Sequence, residues 1–362
     1  MKAAGFSAAD ERFMRRALEL AERGRGTTRP NPTVGAVVVR SGRIVGEGFH
    51  ERAGGPHAEI AALADVRGSP RGATMYVTLE PCCHTGRTGP CTEALLAARP
   101  ARVVVGCGDP NPAVDGRGIS RLRRAGIQVD LGCLEPEARA AIRAYATWIG
   151  ERRPLVTLKA AATLDGYIAD AHPRSRRAPA FLTGPEARRV AHELRAAHDA
   201  VLVGAGTARA DDPRLTVRLP GREPSPDSRL GVGPLRVLLA GKHPIPPKLK
   251  MLRGRPPAEI VHMGDRADLR QVLAYLARER EVQSLLVEGG ASVHGAFIAA
   301  GLVDRVALFV APRLIGGGVP TARGADLPLG QALRLGPLAT HAVGGDLLIT
   351  ADVLRSPPKC SR

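Results

Sequence analysis

Apolar residues recur at helical spacing over Ala9–Ala21, where Phe13, Ala17, Leu18 and Leu20 share one face behind a capping segment Ser7–Asp10. Short runs rich in β-formers then alternate with helical ones. Strands are predicted at Val34–Arg40, Arg43–Gly48, Ala73–Leu79 and Arg102–Gly106, and helices at His57–Ala64, Thr92–Ala98 and Gly118–Ala125. Such alternation predicts a layered α/β domain. The pattern breaks near Arg143 to Pro154, and a second alternation begins with a strand at Leu155–Lys159. It continues with helix Pro185–Ala197, strands Ala200–Gly204 and Leu235–Ala240, helix Asp268–Arg280, strand Ser284–Val287, helix Ser292–Ala300 and strand Arg305–Ala311. Two domains follow, 1–150 and 151–362, with no internal repeat joining them. Between strands, Arg218 to Pro234 is rich in Pro, Gly and charge and reads as a surface loop.

Onto the first alternation falls a set of metal-binding residue types: His57 and Glu59, then Glu80, Pro81 and Cys82, then Cys91. A zinc ion that activates water needs three protein ligands and one open position, and His57, Cys82 and Cys91 supply one nitrogen and two sulfurs of suitable softness. Glu59 is then free to move protons, the division of labour of hydrolytic base deaminases. Pro56 opens the helical run that places His57 and Glu59 in a first turn, and Cys82 is expected in a similar strand-to-helix turn after Leu79. A purely structural zinc would want a fourth ligand from Cys83 or His84, whose adjacency to Cys82 makes tetrahedral chelation awkward. Eight residues, Cys83 to Pro90, separate the two cysteine ligands, and His84, Arg87 and Thr88 in that loop are candidate substrate contacts.

Charge changes the picture little. The formal net charge is +17, which invites a nucleic-acid partner, but only 3% of residues are aromatic and the arginines are spread along the chain. A phosphorylated small substrate and cofactor use a basic surface equally well, and no nucleic-acid partner is expected. No stretch is apolar for long enough to span a membrane, and the N-terminal pattern is a capped helix with no secretory signal. Cys107, Cys133 and Cys360 are isolated, so no disulfide framework is expected and the cytoplasm is the expected compartment.

In the second half, a strand ending at Val287 runs through Glu288, Gly289 and Gly290 into a helical pattern, an arrangement suited to a pyrophosphate. The run Gly316–Gly318 reads as a flexible turn or a phosphate cradle.

Segments spread over nearly the whole chain resemble the bifunctional riboflavin-biosynthesis family, in which a pyrimidine deaminase is fused to a reductase. They are Pro30–Gly35, Gly46–Gly48, Pro56–Glu59, Thr78–Cys82, Gly86–Thr88, Asp109–Pro112, Thr163–Gly166, Ala210–Arg218 and Val287–Gly290, and the long Cys82–Cys91 spacing is itself a mark of that family. The resemblance implies a cytidine-deaminase-like three-layer domain followed by a dihydrofolate-reductase-like α/β domain. It implies hydrolysis of the 2-amino group of 2,5-diamino-6-ribosylamino-4(3H)-pyrimidinone 5′-phosphate, then NADPH-dependent reduction of the ribosyl group to ribityl. It assigns zinc to His57, Cys82 and Cys91, proton transfer to Glu59, and substrate contact to Asn31, His84, Arg195, Leu215, Arg218 and Glu288. Cofactor contact falls on Ala161, Thr207 and Asp211 and on Gly290, Ala291, Ser292, Val293, His294, Gly295 and Ala296. A homo-oligomer is expected.

Three positions depart from the family pattern. Pro179 stands two places before Phe181 where relatives have Ser, Ala240 and Gly241 replace an Asp-Ser pair after the middle strand, and Cys83 replaces a small hydroxyl residue beside a ligand. None replaces Glu59 or one of the three ligands. The alternatives are a zinc deaminase of another nucleotide or RNA base with an inert second half, and a non-enzymatic basic binder, which would have no need of Glu59.

Overall fold

The computed structural model describes residues 5–83, 89–171, 181–220, 233–241, 244–253, 258–262 and 268–354. The expectations placed on His84, Arg87, Thr88, Pro179 and Cys360 lie outside the described residues. The chain divides into two compact units, Met1–Arg152 and Arg153–Arg362.

In the first unit, helix α1 (Ala8–Arg23) is followed by β1 (Gly35–Arg40), β2 (Arg43–Phe49), α2 (Ala58–Ala64), β3 (Thr74–Leu79), α3 (Cys91–Ala98), β4 (Arg102–Cys107), α4 (Arg117–Arg124), β5 (Gln128–Leu131), α5 (Glu135–Ala141) and α6 (Arg143–Glu151). Five strands form one sheet in the order β2-β1-β3-β4-β5, antiparallel through β2, β1 and β3 and parallel through β3, β4 and β5. The side-chain period of a strand decides the layers. Val37, Val39, Tyr76 and Val104 face α1, burying Phe13, Met14, Ala17 and Leu20. Their neighbours Ala36, Val38, Met75, Val77, Val103 and Val105 face the opposite way, onto Ala58 and Ala62 of α2, Leu95 of α3, and Ile119 and Leu122 of α4. Helices on both faces of one sheet make the three layers.

The stretch read as a break, Arg143 to Pro154, is helix α6 up to Glu151, and the unit boundary falls one residue later, after Arg152 in the left-handed region. The helix escaped notice because it has little apolar face to show, Tyr145 being its buried residue. Helix α5 escaped for the same reason, with Ala138 its buried residue.

The second unit contains β6 (Leu155–Thr163), β7 (Tyr167–Ala169), α7 (Pro185–Ala196), β8 (Ala200–Gly204), α8 (Ala205–Asp211), β9 (Leu235–Ala240), β10 (Glu259–His262), α9 (Leu269–Glu279), β11 (Ser284–Gly289), α10 (Ala291–Ala299), β12 (Arg305–Ala311), β13 (Val319–Pro320), β14 (Arg334–Leu335), β15 (Ala339–Val343) and β16 (Asp346–Leu354). The main sheet runs β10-β9-β8-β11-β6-β12-β16-β14, with β15 also on β16, and is parallel from β10 to β12 and antiparallel beyond. Val156, Leu202, Val237 and Leu285 pack on α9, whose Leu273 and Leu276 are fully buried, and on Phe297 of α10. Val201, Val203, Leu238 and Leu286 pack the other way, around Ala208 of α8. Leaving β8 the chain steps outward to β9, and leaving β11 it steps the opposite way to β12. Adjacent strands whose exits diverge open a crevice at their carboxyl ends, where open α/β sheets bind ligands.

One buried ion pair closes the base of this unit. Both terminal guanidinium nitrogens of Arg153 reach Asp304, at 2.6 and 2.8 Å, and the Asp304 carboxylate also accepts from Val156 N at 2.8 Å.

Candidate functional site

His57 is the N-cap of α2, with extended backbone (φ −69°, ψ 161°), and Glu59 is the second residue of the helix proper. Cys91 is the first residue of α3. The expectation that Cys82 also enters a helix is corrected here: the inserted loop delays the helix after β3 until Cys91, and Cys82 docks onto that helix N-terminus. Its carbonyl accepts from Thr92 N at 3.1 Å and its sulfur from Cys91 N at 3.3 Å. These are N–H groups that a helix start cannot satisfy internally, and they favour a thiolate.

The three donors converge. His57 Nδ1 lies 3.1 Å from Cys91 Sγ and 3.6 Å from Cys82 Sγ, and all three donor atoms fall within 4.8 Å of one another. The Cys82 thiol is pulled far below its usual range by a hydrogen bond from Cys91, with His57 acting the same way against burial. Cys91, the donor of that bond and itself buried, is pushed up. His57 is raised, chiefly by its bond to Cys82. One nitrogen and two sulfurs, one of them held as thiolate, are a donor set that fits zinc and leaves a coordination position for water.

Glu59 is 4% exposed, and burial raises its carboxyl above the ordinary range. That is the direction needed by a group that must carry a proton in mid-reaction. Asn31, half-buried, meets His50 through Nδ2 and Nε2 at 3.0 Å, and His50 Nδ1 meets the Pro56 carbonyl at 2.9 Å. A carbonyl can only accept, so Nδ1 carries the proton, Nε2 accepts from the Asn31 amide, and Asn31 Oδ1 is left as an acceptor. His50 sits edge-on to His57, with ring centroids 5.4 Å apart. It was missed because nothing in the spacing of Asn31, His50 and Pro56 predicts their meeting.

In the second unit, the crevice between β8 and β11 collects several expected residues. Gly290 has φ +80°, and a Cβ there would lie 2.5 Å from Thr207 Oγ1, so no side chain fits. Thr207 Oγ1 itself donates to Gly289 O at 3.2 Å. Helix α10 starts here with no side-chain cap and no acidic residue in its first turn. Free N–H groups and a backbone stripped of side chains fit the pyrophosphate of a dinucleotide. Ala291 opens that helix, Ser292 and Ala296 are exposed, and Val293 packs over Gly204 and Gly289. His294 and Gly295 are engaged by the fold: the His294 ring is buried with Nδ1 donating to Thr321 O at 2.8 Å, and Gly295 abuts the Arg323 backbone. Ala161 is half-buried in β6 beside Phe309, and Asp211 is exposed at the end of α8. Gly241, one of the family departures, is exposed just beyond β9, whose last residue Ala240 is buried.

The expected substrate residues are not independent of one another. Arg195 grips the Glu288 carboxylate with two nitrogens, at 2.5 and 2.9 Å, and Lys159 Nζ lies 3.6 Å away. Burial alone would raise Glu288, yet the Lys159 charge and the Arg195 hydrogen bonds hold it down at about 2. Lys159 also stands 5.6 Å over the Phe309 ring. It was missed in the sequence, although a single charge inside the apolar strand Leu155–Thr163 is the signal that marks it. Arg218 is exposed, its backbone N–H donates to His192 Nδ1 at 3.3 Å, and burial together with Arg195 and Arg214 lowers its pKa. Leu215 is a core residue, 3% exposed among Val201, Leu238 and Met251, and only its backbone (φ +54°) is left for a ligand.

Known proteins resemble both units. Residues 7–107 match the cytidine and deoxycytidylate deaminase zinc-binding region, and residues 154–349 match the RibD C-terminal domain. The riboflavin biosynthesis protein RibD of Aquifex aeolicus is 40% identical over 359 residues, covering 94% of this chain and 97% of that one. The RibD of Escherichia coli is 40% identical over 332 residues, covering 85% and 89%. Among solved structures, Acinetobacter baumannii RibD superposes with a TM-score of 0.85 at 34% identity, covering 96% of this chain and 99% of its own. A diaminohydroxyphosphoribosylaminopyrimidine deaminase/5-amino-6-(5-phosphoribosylamino)uracil reductase of Thermotoga maritima gives 0.84 at 35% identity, with coverage of 96% and 99%.

Proposed function

The chain belongs to the RibD family of riboflavin-biosynthesis proteins, and on that premise we propose how its own residues divide the work. It is a bifunctional enzyme with a zinc-dependent deaminase unit and an NADPH-dependent reductase unit. The substrate of the first unit is 2,5-diamino-6-ribosylamino-4(3H)-pyrimidinone 5′-phosphate, which loses its 2-amino group as ammonia; the second reduces the ribosyl group to ribityl.

His57, Cys82 and Cys91 hold the metal, which supplies the Lewis acidity that makes water a nucleophile near neutral pH. Glu59 takes one proton of the attacking water and gives it to the ring nitrogen, then carries the second, from the resulting hydroxyl, to the departing amine, so that water in and ammonia out balance. Asn31 Oδ1, oriented through His50, accepts from an N–H of the base. The convergence of three donors beside a buried carboxyl is the observation that carries this assignment.

In the second unit Gly290, Ala291 and Ser292 receive the dinucleotide pyrophosphate, with Thr207 beneath them. Glu288, between Arg195 and Lys159, accepts from the sugar hydroxyls, and exposed Arg218 meets the 5′-phosphate. Ala240 and Gly241 are not part of this set, and the reading with an inert second half is not favoured. Exposed Leu329, Leu335, Leu338 and Leu354, on and before the β14 to β16 edge, support a homo-oligomer through that edge. No helix among the described residues is long and apolar enough to cross a membrane.

The test records ammonia release and NADPH oxidation in one tube containing zinc-loaded protein and the diaminopyrimidinone ribosylamino phosphate. Both signals are expected in step. A chelator should abolish the ammonia while leaving oxidation intact when deaminated substrate is supplied. Ammonia without oxidation refutes the reductase assignments, and silence of both refutes the substrate.

A further inference from the structure

Helix α4 carries no side-chain cap and no acid in its first turn, and its charged residues are Arg117, Arg121, Arg123 and Arg124. Its exposed N–H groups are taken instead by a residue of another element. Glu80, 3% exposed and two residues before Cys82, accepts from Gly116 N at 3.0 Å through Oε2 and from Ile119 N at 3.2 Å through Oε1. Gly116 is the N-cap and Ile119 the third helical residue, so one carboxylate performs both halves of a capping box. The contact is tight: a Cβ on Gly118 would lie 2.0 Å from Pro81 O, so α4 rests directly on the peptide before Cys82. The same helix reaches the other cysteine ligand, because Arg121 is paired with Glu93, two residues after Cys91. The backbone of Glu80 is fixed in turn, donating to Cys107 O at 3.0 Å.

We propose that α4 is a brace for the two cysteine ligands and that Glu80 is a positioning residue for deamination, setting where Cys82 stands relative to Cys91. The Arg121–Glu93 pair is exposed and contributes little alone, so the buried carboxylate carries the effect. Gln at position 80 keeps the size but offers a single acceptor oxygen to two donors, and its amide then faces an N–H. Residues that orient metal ligands typically change metal affinity by about 10- to 100-fold. This proposal rests on His57, Cys82 and Cys91 being the zinc ligands.

The test has two arms. In the full-length chain, Glu80→Gln is expected to weaken zinc binding roughly tenfold against a chromophoric chelator, and to lower kcat for ammonia release at saturating zinc more than it changes KM. NADPH-dependent reduction of deaminated substrate should be unchanged. Unaltered zinc affinity alongside a lowered Tm overturns the proposal and leaves Glu80 a structural cap. Should the variant fail to fold, amide hydrogen exchange on the wild-type protein decides. Coupling is reciprocal, so stripping zinc should speed exchange at Gly116 and Ile119 at least tenfold more than at Val103 and Val104 of β4. Equal changes at both places overturn it. A wild-type protein that never holds zinc refutes the ligand assignment instead.

Discussion

Replacing Glu288 by Gln removes one negative charge from between Arg195 and Lys159 in the interior of the second unit. The carboxyl is held at about 2 against an ordinary value of 4.5. At 1.36 kcal/mol per unit, that difference amounts to about 3 kcal/mol of stability near neutral pH. A depressed acid contributes fully above its unfolded pKa, and the contribution is lost as pH falls through the folded one. Wild type and Glu288→Gln should therefore differ by about 3 kcal/mol at pH 7, still nearly so at pH 5, and converge as pH falls through about 2, below which the wild-type carboxyl is also neutral. With a urea m-value of about 2 kcal/mol/M, the midpoint shift at pH 7 is about 1.5 M. The observable is the urea concentration at which the amides of Leu285 to Val287 in central strand β11 lose protection from hydrogen exchange. A midpoint difference that stays constant from pH 7 to pH 2 would refute the ion-pair reasoning, because a shape or packing defect does not titrate.

Glu59→Gln should lower ammonia release by roughly 10²–10⁴-fold, with zinc content and the reduction of supplied deaminated substrate unchanged, as read by metal analysis and NADPH absorbance. Lys159→Met should reduce NADPH-dependent turnover by roughly 10²-fold and leave ammonia release intact in the same assay. Ser7→Ala breaks the capping box in which Ser7 Oγ accepts from Asp10 N at 3.1 Å. It should cost about 1 kcal/mol, seen as a lower melting temperature in the fluorescence of Trp148, the chain's one tryptophan.

What could be read in the sequence was local. His57, Glu59, Cys82 and Cys91 declare themselves because zinc chemistry constrains residue type and spacing within a short stretch, and β8, β9 and β12 have the bounds that their β-formers suggest. The helix order around Cys82 was misread, since a turn signal such as Glu80 and Pro81 cannot say how long the following loop is. Strands β14 and β15 went unseen because little of them is buried, β15 being exposed over all but Val343 with no alternation to detect; β16 buries Asp346, Leu348, Ala351 and Val353, but its alternation slips at Ile349 and Thr350. The Arg195, Glu288 and Lys159 cluster joins residues far apart in sequence, which no periodicity can report. Two of those residues came from family resemblance and the third from the fold alone. Glu80 belongs to a motif that was quoted, yet its partners, Gly116 and Ile119, are backbone atoms and leave no mark in a string of side chains.

Neither sheet borrows a strand from the other: every ladder among the described residues closes either before Arg152 or after Arg153. A polypeptide severed at that point loses no strand pairing, and its C-terminal piece retains the Arg153–Asp304 clasp at its new beginning. As far as strand pairing goes, the two steps can be carried by two polypeptides as readily as by one.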